Sequence, residues 1–119
     1  MTTLTFELSE MRAAAGQACN LLKTLANPDR LTILCQLSQG EKRVGELESL
    51  LGIVQPTLSQ QLTVLREQQL VSTRRDGKNI FYTLSSSQAL AVIKTLYEQF
   101  CRADGSPTTE PGLGTRNPS

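Results

Sequence analysis

Between Val44 and Leu84 the apolar positions change period twice. Val44, Leu47, Leu50 and Leu51 recur at helical spacing, and Gly52 then supplies a stop. Leu58, Leu62 and Leu65 repeat that spacing as a narrow seam. Gln55-Pro56 precedes them, with Pro56 expected at the first helical position, where its missing N–H costs nothing. The opposite face of this second helix carries Thr57, Ser59, Gln60 and Thr63, all uncharged hydrogen-bonding side chains. Leu70–Arg75 and Asn79–Leu84 are then rich in β-branched and aromatic residues around Asp76-Gly77, which predicts a hairpin. Helix, glycine turn, polar-faced helix and hairpin is the order of a winged helix-turn-helix, an arrangement that lays its second helix in the DNA major groove.

The flanking sequence adds three helices. Ser9 is placed to cap a helix running to about Leu25, with Met11, Ala15, Ala18, Leu22 and Leu25 in one stripe. Asn27-Pro28 marks a second start, after which Leu31, Leu34 and Cys35 share a face until Gly40. A last helix covers residues 87–101, with Leu90, Ile93, Leu96, Tyr97, Phe100 and Cys101 on its apolar side. The predicted fold is mainly α, in the order α-α-α-α-β-β-α. Residues 1–8 read as a flexible start, 9–102 as one domain, and 103–119, rich in Pro and Gly, as a disordered tail. Both terminal helices are more apolar than a small domain needs. A homodimer built through residues 9–25 and 87–101, binding an inverted-repeat operator in double-stranded DNA, would use that surplus.

Composition narrows the chemistry. The 119 residues contain 39% hydrophobic residues, no Trp and no His. The core is therefore expected to be aliphatic, and histidine-based acid–base catalysis and histidine metal sites are excluded. With no nucleophile–base pattern and no phosphate-binding glycine loop, an enzyme is not expected, nor is a cofactor. Net charge is only +1. Basic character is instead local, with six cations against four carboxylates from Lys42 to Lys78. No apolar run approaches the roughly 20 residues of a membrane helix. The N-terminus lacks the pattern of a signal peptide, so the expected location is the cytoplasm, where permanent disulfides are rare.

Each candidate group admits two readings. Gln55, Thr57, Ser59, Gln60 and Thr63 are either a solvated helix face or a base- and phosphate-contacting one. Gln60 points furthest from the leucine seam, and its amide matches an adenine edge. Arg74, Arg75 and Lys78 either keep an exposed hairpin soluble or touch phosphates. Cys35 and Cys101 are either small buried apolar residues or reactive thiols. Cys19, beside the first helix's stripe, reads as structural or incidental.

The runs NPDRLTILCQL, VGELESLLGIVQPTLSQQLTVLREQQLV and RRDGKNIFYTL resemble the ArsR/SmtB family of dimeric bacterial repressors over about residues 20–101. The resemblance implies operator binding that an inducer reverses. The family's metal-responsive patterns are absent. Where arsenic- and cadmium-type members carry Cys-Val-Cys, this chain has Arg43-Val44-Gly45, and the histidines of zinc-type members are missing. Cys35 and Cys101, 66 residues apart on the second and last helices, match the persulfide-responsive BigR/SqrR subgroup. The resemblance implies that these two thiols react with a persulfide or polysulfide inducer to form a di- or polysulfide bridge that lowers DNA affinity. The alternatives are a repressor of the same fold answering another oxidant, an electrophile or a soft metal, and a winged helix used for protein interaction.

Overall fold

The computed structural model describes residues 7–103 and 106–107. Its elements are α1 (Leu8–Leu25), α2 (Pro28–Leu37), β1 (Lys42–Arg43), α3 (Val44–Leu51), α4 (Thr57–Glu67), β2 (Val71–Asp76), β3 (Asn79–Leu84), α5 (Ser87–Phe100), β4 (Arg102–Ala103) and β5 (Ser106–Pro107). The expected winged helix-turn-helix is present, framed by α1 and α5.

Capping chemistry accounts for several boundaries. Asn27 accepts from the Arg30 N–H at 3.0 Å and Pro28 opens α2, as the sequence predicts. Gly52, at φ 70°, closes α3 in the left-handed conformation a glycine adopts without a Cβ clash. Ser86 caps α5 by accepting from the Ala89 N–H at 3.1 Å.

Other boundaries correct the expectations. The cap of α1 is Glu7, not Ser9; the Ser9 hydroxyl instead donates to the Glu7 carboxylate at 3.3 Å. Leu37 ends α2 before Gly40, and the Ser38 hydroxyl donates back to the Cys35 carbonyl at 2.6 Å. Pro56 occupies the cap of α4, one position before the expected one, and its carbonyl accepts from the Gln60 N–H at 3.0 Å. Gln69, at φ 64°, turns the chain out of α4 without the glycine such a conformation favours. In the hairpin Asp76 pairs with Asn79, so the loop is Gly77-Lys78 and not Asp76-Gly77; Gly77 supplies the positive φ of 65°. Cys101 caps α5 and lies just outside it.

The hairpin gains a third strand that the periodicity did not reveal. Lys42 pairs with Tyr82 and Arg43 with Phe81, giving a sheet of order β1-β3-β2. Beyond α5, Arg102 pairs with Pro107 and Ala103 with Ser106, a short ladder that starts at the last residue of the expected domain and runs into the segment expected to be disordered. The remaining expectations for the two ends, residues 1–6, 104–105 and 108–119, lie outside the described residues.

The core is aliphatic. Leu58, Leu62 and Leu65 of α4 pack with Ile33, Leu34 and Leu37 of α2, Leu47 of α3 and Ile93 of α5. Leu50, at the edge of the α3 stripe, remains exposed. The α1 stripe is mostly unused within the subunit: Leu25 is buried, but Met11 and Leu22 are 50% and 55% exposed. At the other end of the chain, Tyr97 is 51% and Phe100 78% exposed.

Candidate nucleic-acid interface and thiol pair

Burial of the leucine seam fixes which face of α4 meets solvent. Ser59, Gln60 and Thr63 are exposed on it, Gln55 is exposed just before it, and Thr57 is half-buried. Ser59 donates to the Gln55 side chain, and the Thr63 hydroxyl donates to the Ser59 carbonyl at 2.9 Å. Gln60, at the middle of the face, has no hydrogen-bond partner for its side-chain amide among the described residues. The sequence-predicted groups thus gather on one surface, with Gln55 and Ser59 ordering each other.

The wing divides its three cations. Arg75 and Lys78 are exposed at the tip. Arg74 is engaged within the protein: Nε and an Nη donate to the two Glu41 carboxylate oxygens at 2.7 and 2.8 Å, and the guanidinium lies 4.4 Å from the centre of the Phe81 ring. Asp76 stands 4.0 Å away. Hydrogen bonding from Arg74 holds the Glu41 carboxyl below its ordinary value, and Glu41 raises Arg74 in return. Sequence reasoning did not single out Glu41, because nothing local pairs residues 33 positions apart.

The packing of α2 against α5 sets Cys35 beside the last turn of α5, which Cys101 caps. All three are present as thiols. Cys35 is half-buried on α2, and Cys101 is exposed at the end of α5. Burial pushes the Cys35 thiol up, and the charge of Cys101 pushes it further. Cys35 opens on a cavity of about 410 Å³ between α2 and α5, lined also by Gln36, Gln39, Lys94, Tyr97 and Glu98. Cys19 is exposed on α1. Among the described residues, no group of three or more His, Cys, Asp or Glu side chains could hold a metal.

Two further contacts reach α4 from behind. Arg30 donates to Gln61 at 3.0 Å, and Asn20 donates to Gln68 at 2.8 Å. Gln61 and Gln68 are seven residues apart and so share one flank of the helix, the only trace of this arrangement in the sequence.

Comparison with known proteins places this geometry. The profile described as "Bacterial regulatory protein, arsR family" matches residues 27–73. The chain is 52% identical over 92 residues to a biofilm growth-associated repressor of Xylella fastidiosa, covering 77% of this chain and 81% of that one. It is 54% identical over 94 residues to the protein of the same name from Agrobacterium fabrum, covering 79% and 80%. The crystal structure of the transcriptional repressor BigR from Xylella fastidiosa superposes with a TM-score of 0.78 at 49% identity, covering 82% of this chain and 99% of that one. These relatives are transcriptional regulators and not enzymes. Shared sequence over most of the folded domain and a shared winged helix-turn-helix lead to one conclusion: the chain belongs to the arsR family of bacterial regulatory proteins.

Proposed function

We propose that the protein is a homodimeric transcriptional repressor that releases its operator when Cys35 and Cys101 are bridged by reactive sulfur. The observation that carries this reading is the packing of α2 against α5, which puts Cys35 on an open cavity lined by Tyr97 and Glu98 in the last turn of α5, the helix that Cys101 caps. The repressor names of the relatives at 52% and 54% identity support the direction of regulation. The dimer is supported by the unused apolar faces of α1 and α5, and DNA binding would place it in the cytoplasm. No helix among the described residues is long and apolar enough to cross a membrane.

The chemistry balances without a metal. The exposed Cys101 thiolate attacks the outer sulfur of an organic persulfide RSSH, forming Cys101–SSH and releasing the thiolate RS⁻. The Cys35 thiolate then attacks the Cys101 sulfur of that persulfide, closing a disulfide and expelling HS⁻. The donor persulfide is thereby reduced to RSH and H₂S while two protein thiols become one disulfide. Persulfidation of both cysteines before closure leaves a trisulfide and again releases H₂S. Because α2 packs against both α4 and α5, such a bridge ties the recognition helix's support to the dimer frame. The test is intact-mass measurement after persulfide exposure, with operator affinity read on the same sample. Release without a bridged species would overturn the proposal, as would a bridged species that still binds.

On DNA, Gln60 is the proposed base reader, with Gln55, Thr57, Ser59 and Thr63 positioning α4, and Arg75 and Lys78 touching phosphates. Gln60→Ala should lose roughly 1–3 kcal/mol of discrimination at one base pair per half-site. Arg75→Ala should weaken all sequences alike and flatten the salt dependence. Indistinguishable behaviour of the two variants on specific and random DNA would refute this division of roles.

Arg74 belongs to the same basic tip but is held back by Glu41. Since the folded-state Glu41 carboxyl is lowered, the pair is intact above the unfolded carboxylate value and is lost as pH falls through the lowered one. Glu41→Gln should release Arg74 to phosphate at neutral pH. The log–log salt slope should then steepen by about 0.9 for each added contact. An unchanged slope would mean that Arg74 takes no part in binding.

A further inference from the structure

Asn20, Arg30, Gln61 and Gln68 form a polar fastening that neither the leucine core nor the solvent-facing surface of α4 requires. Arg30 lies in the first turn of α2 and uses its guanidinium in three directions. Nε donates to the Thr24 carbonyl at 2.7 Å, one Nη to the Lys23 carbonyl at 3.4 Å, and the other Nη to the Gln61 side-chain oxygen at 3.0 Å. Thr24 and Lys23 are in the last turn of α1, where exposed carbonyls and the helix dipole favour a cation. About two turns further on, Gln68, the C-cap of α4, accepts from Asn20 of α1 at 2.8 Å.

The apolar seam alone cannot fix how α4 sits. Burial of Leu58, Leu62 and Leu65 resists separation of the helix from the core, but hydrophobic attraction is non-directional and tolerates roll and slide. Hydrogen bonds at two points along one flank remove that freedom. Arg30 is suited to the task because a planar, always-charged fork can hold several fixed acceptors at once, which a lysine cannot. Gln61 is next in sequence to Gln60, so the roll set at Gln61 decides where the neighbouring amide points.

We propose that Arg30 is a positioning residue for the recognition helix, acting through Gln61, with the Asn20–Gln68 bond as its second fastening. Arg30 would not touch DNA. It would hold α4 against the end of α1 in the orientation that lets Gln60 meet a base edge. Arg30 and Cys35 lie on the same helix, but the inference concerns the reduced protein and stands or falls independently of the sulfur switch.

The test uses the full-length reduced protein and an operator recovered by selection from random DNA, with affinity for random-sequence DNA measured in parallel. Gln61→Ala and Arg30→Lys should each lower the operator-to-random affinity ratio about tenfold, the scale of one lost hydrogen bond to a charged group. Affinity for random DNA and the melting midpoint should stay near wild type, because phosphate contacts and the leucine core are untouched. In the operator-to-random ratio the double variant should be no worse than either single one, since the Gln61 bond is the one by which Arg30 reaches α4. Gln61→Glu keeps the acceptor and should restore the ratio. An unchanged ratio in Gln61→Ala, or additive losses in the double variant, would overturn the proposal. So would a harmless Arg30→Lys beside a harmful Gln61→Ala, because Gln61 would then act on DNA directly. A joint fall of both affinities with the melting midpoint would reduce the pair to general fold support.

Discussion

Cys35→Ser and Cys101→Ser proteins should bind operator normally when reduced and fail to release it after persulfide treatment. Cys35 lies on α2 and Cys101 at the end of α5, away in sequence from α4 and the wing, so the reduced state should be unaffected. In the wild type the bridge should lower affinity by about 5–150-fold, the range in which coupled sites usually fall. The two variants should fail differently. Cys35→Ser keeps the exposed acceptor and should accumulate a persulfide one sulfur heavier, without a bridge. Cys101→Ser keeps only the half-buried thiol and should react slowly. Cys19→Ser should respond like the wild type, and added thiol should restore binding to treated wild type by exchange. Closure should accelerate with rising pH over a range above that of an ordinary thiol. A raised Cys35 value means that the protonated form is favoured in the fold, an advantage lost as pH rises through that value. Release of operator by persulfide-treated Cys35→Ser would sink the sulfur switch.

The second large effect is expected at the subunit contact. Phe100→Glu should convert the protein to a monomer whose operator affinity is about 10²–10⁴ weaker, the advantage conferred by linking two binding modules. Phe100 is 78% exposed, so a carboxylate there should not disturb the subunit core. Leu8, Met11, Leu22 and Tyr97 are also exposed on the terminal helices. Burying a large apolar side chain fully stabilises by roughly 1.5–3 kcal/mol, so a symmetric interface using these residues twice has ample driving force. A charge buried in such an interface would be unpaired and desolvated. Sedimentation and a parallel binding titration would decide the matter. A Phe100→Glu dimer with wild-type affinity would show that the subunits meet elsewhere.

The elements were legible because their causes are local. The leucine seam of α4, the Asn27-Pro28 start, the Gly52 stop and the strand periods around Gly77 each depend on residues within a turn or two of each other. Where the expectations slipped, the competing choice was also local but nearly degenerate. Glu7 stands two positions before Ser9, and Pro56 suits the cap as well as the first turn. β1 escaped because a two-residue strand has no period to read.

By itself, the sequence determined the order of the five helices and the hairpin, the aliphatic core, the polar face of α4 and the positions of the cysteines. The tertiary structure alone decided how distant side chains were paired. It removed Arg74 from the free cations by giving it Glu41, and it left Met11 and Phe100 exposed although their pattern matches that of buried residues. It set Cys35 against the last turn of α5, which Cys101 caps, and joined Arg30 to Gln61 across 31 positions and Asn20 to Gln68 across 48. Helical and strand periods are set by backbone geometry that repeats every few residues, so they are written along the chain. A contact between elements depends on how whole helices dock, and one-dimensional spacing carries no record of that.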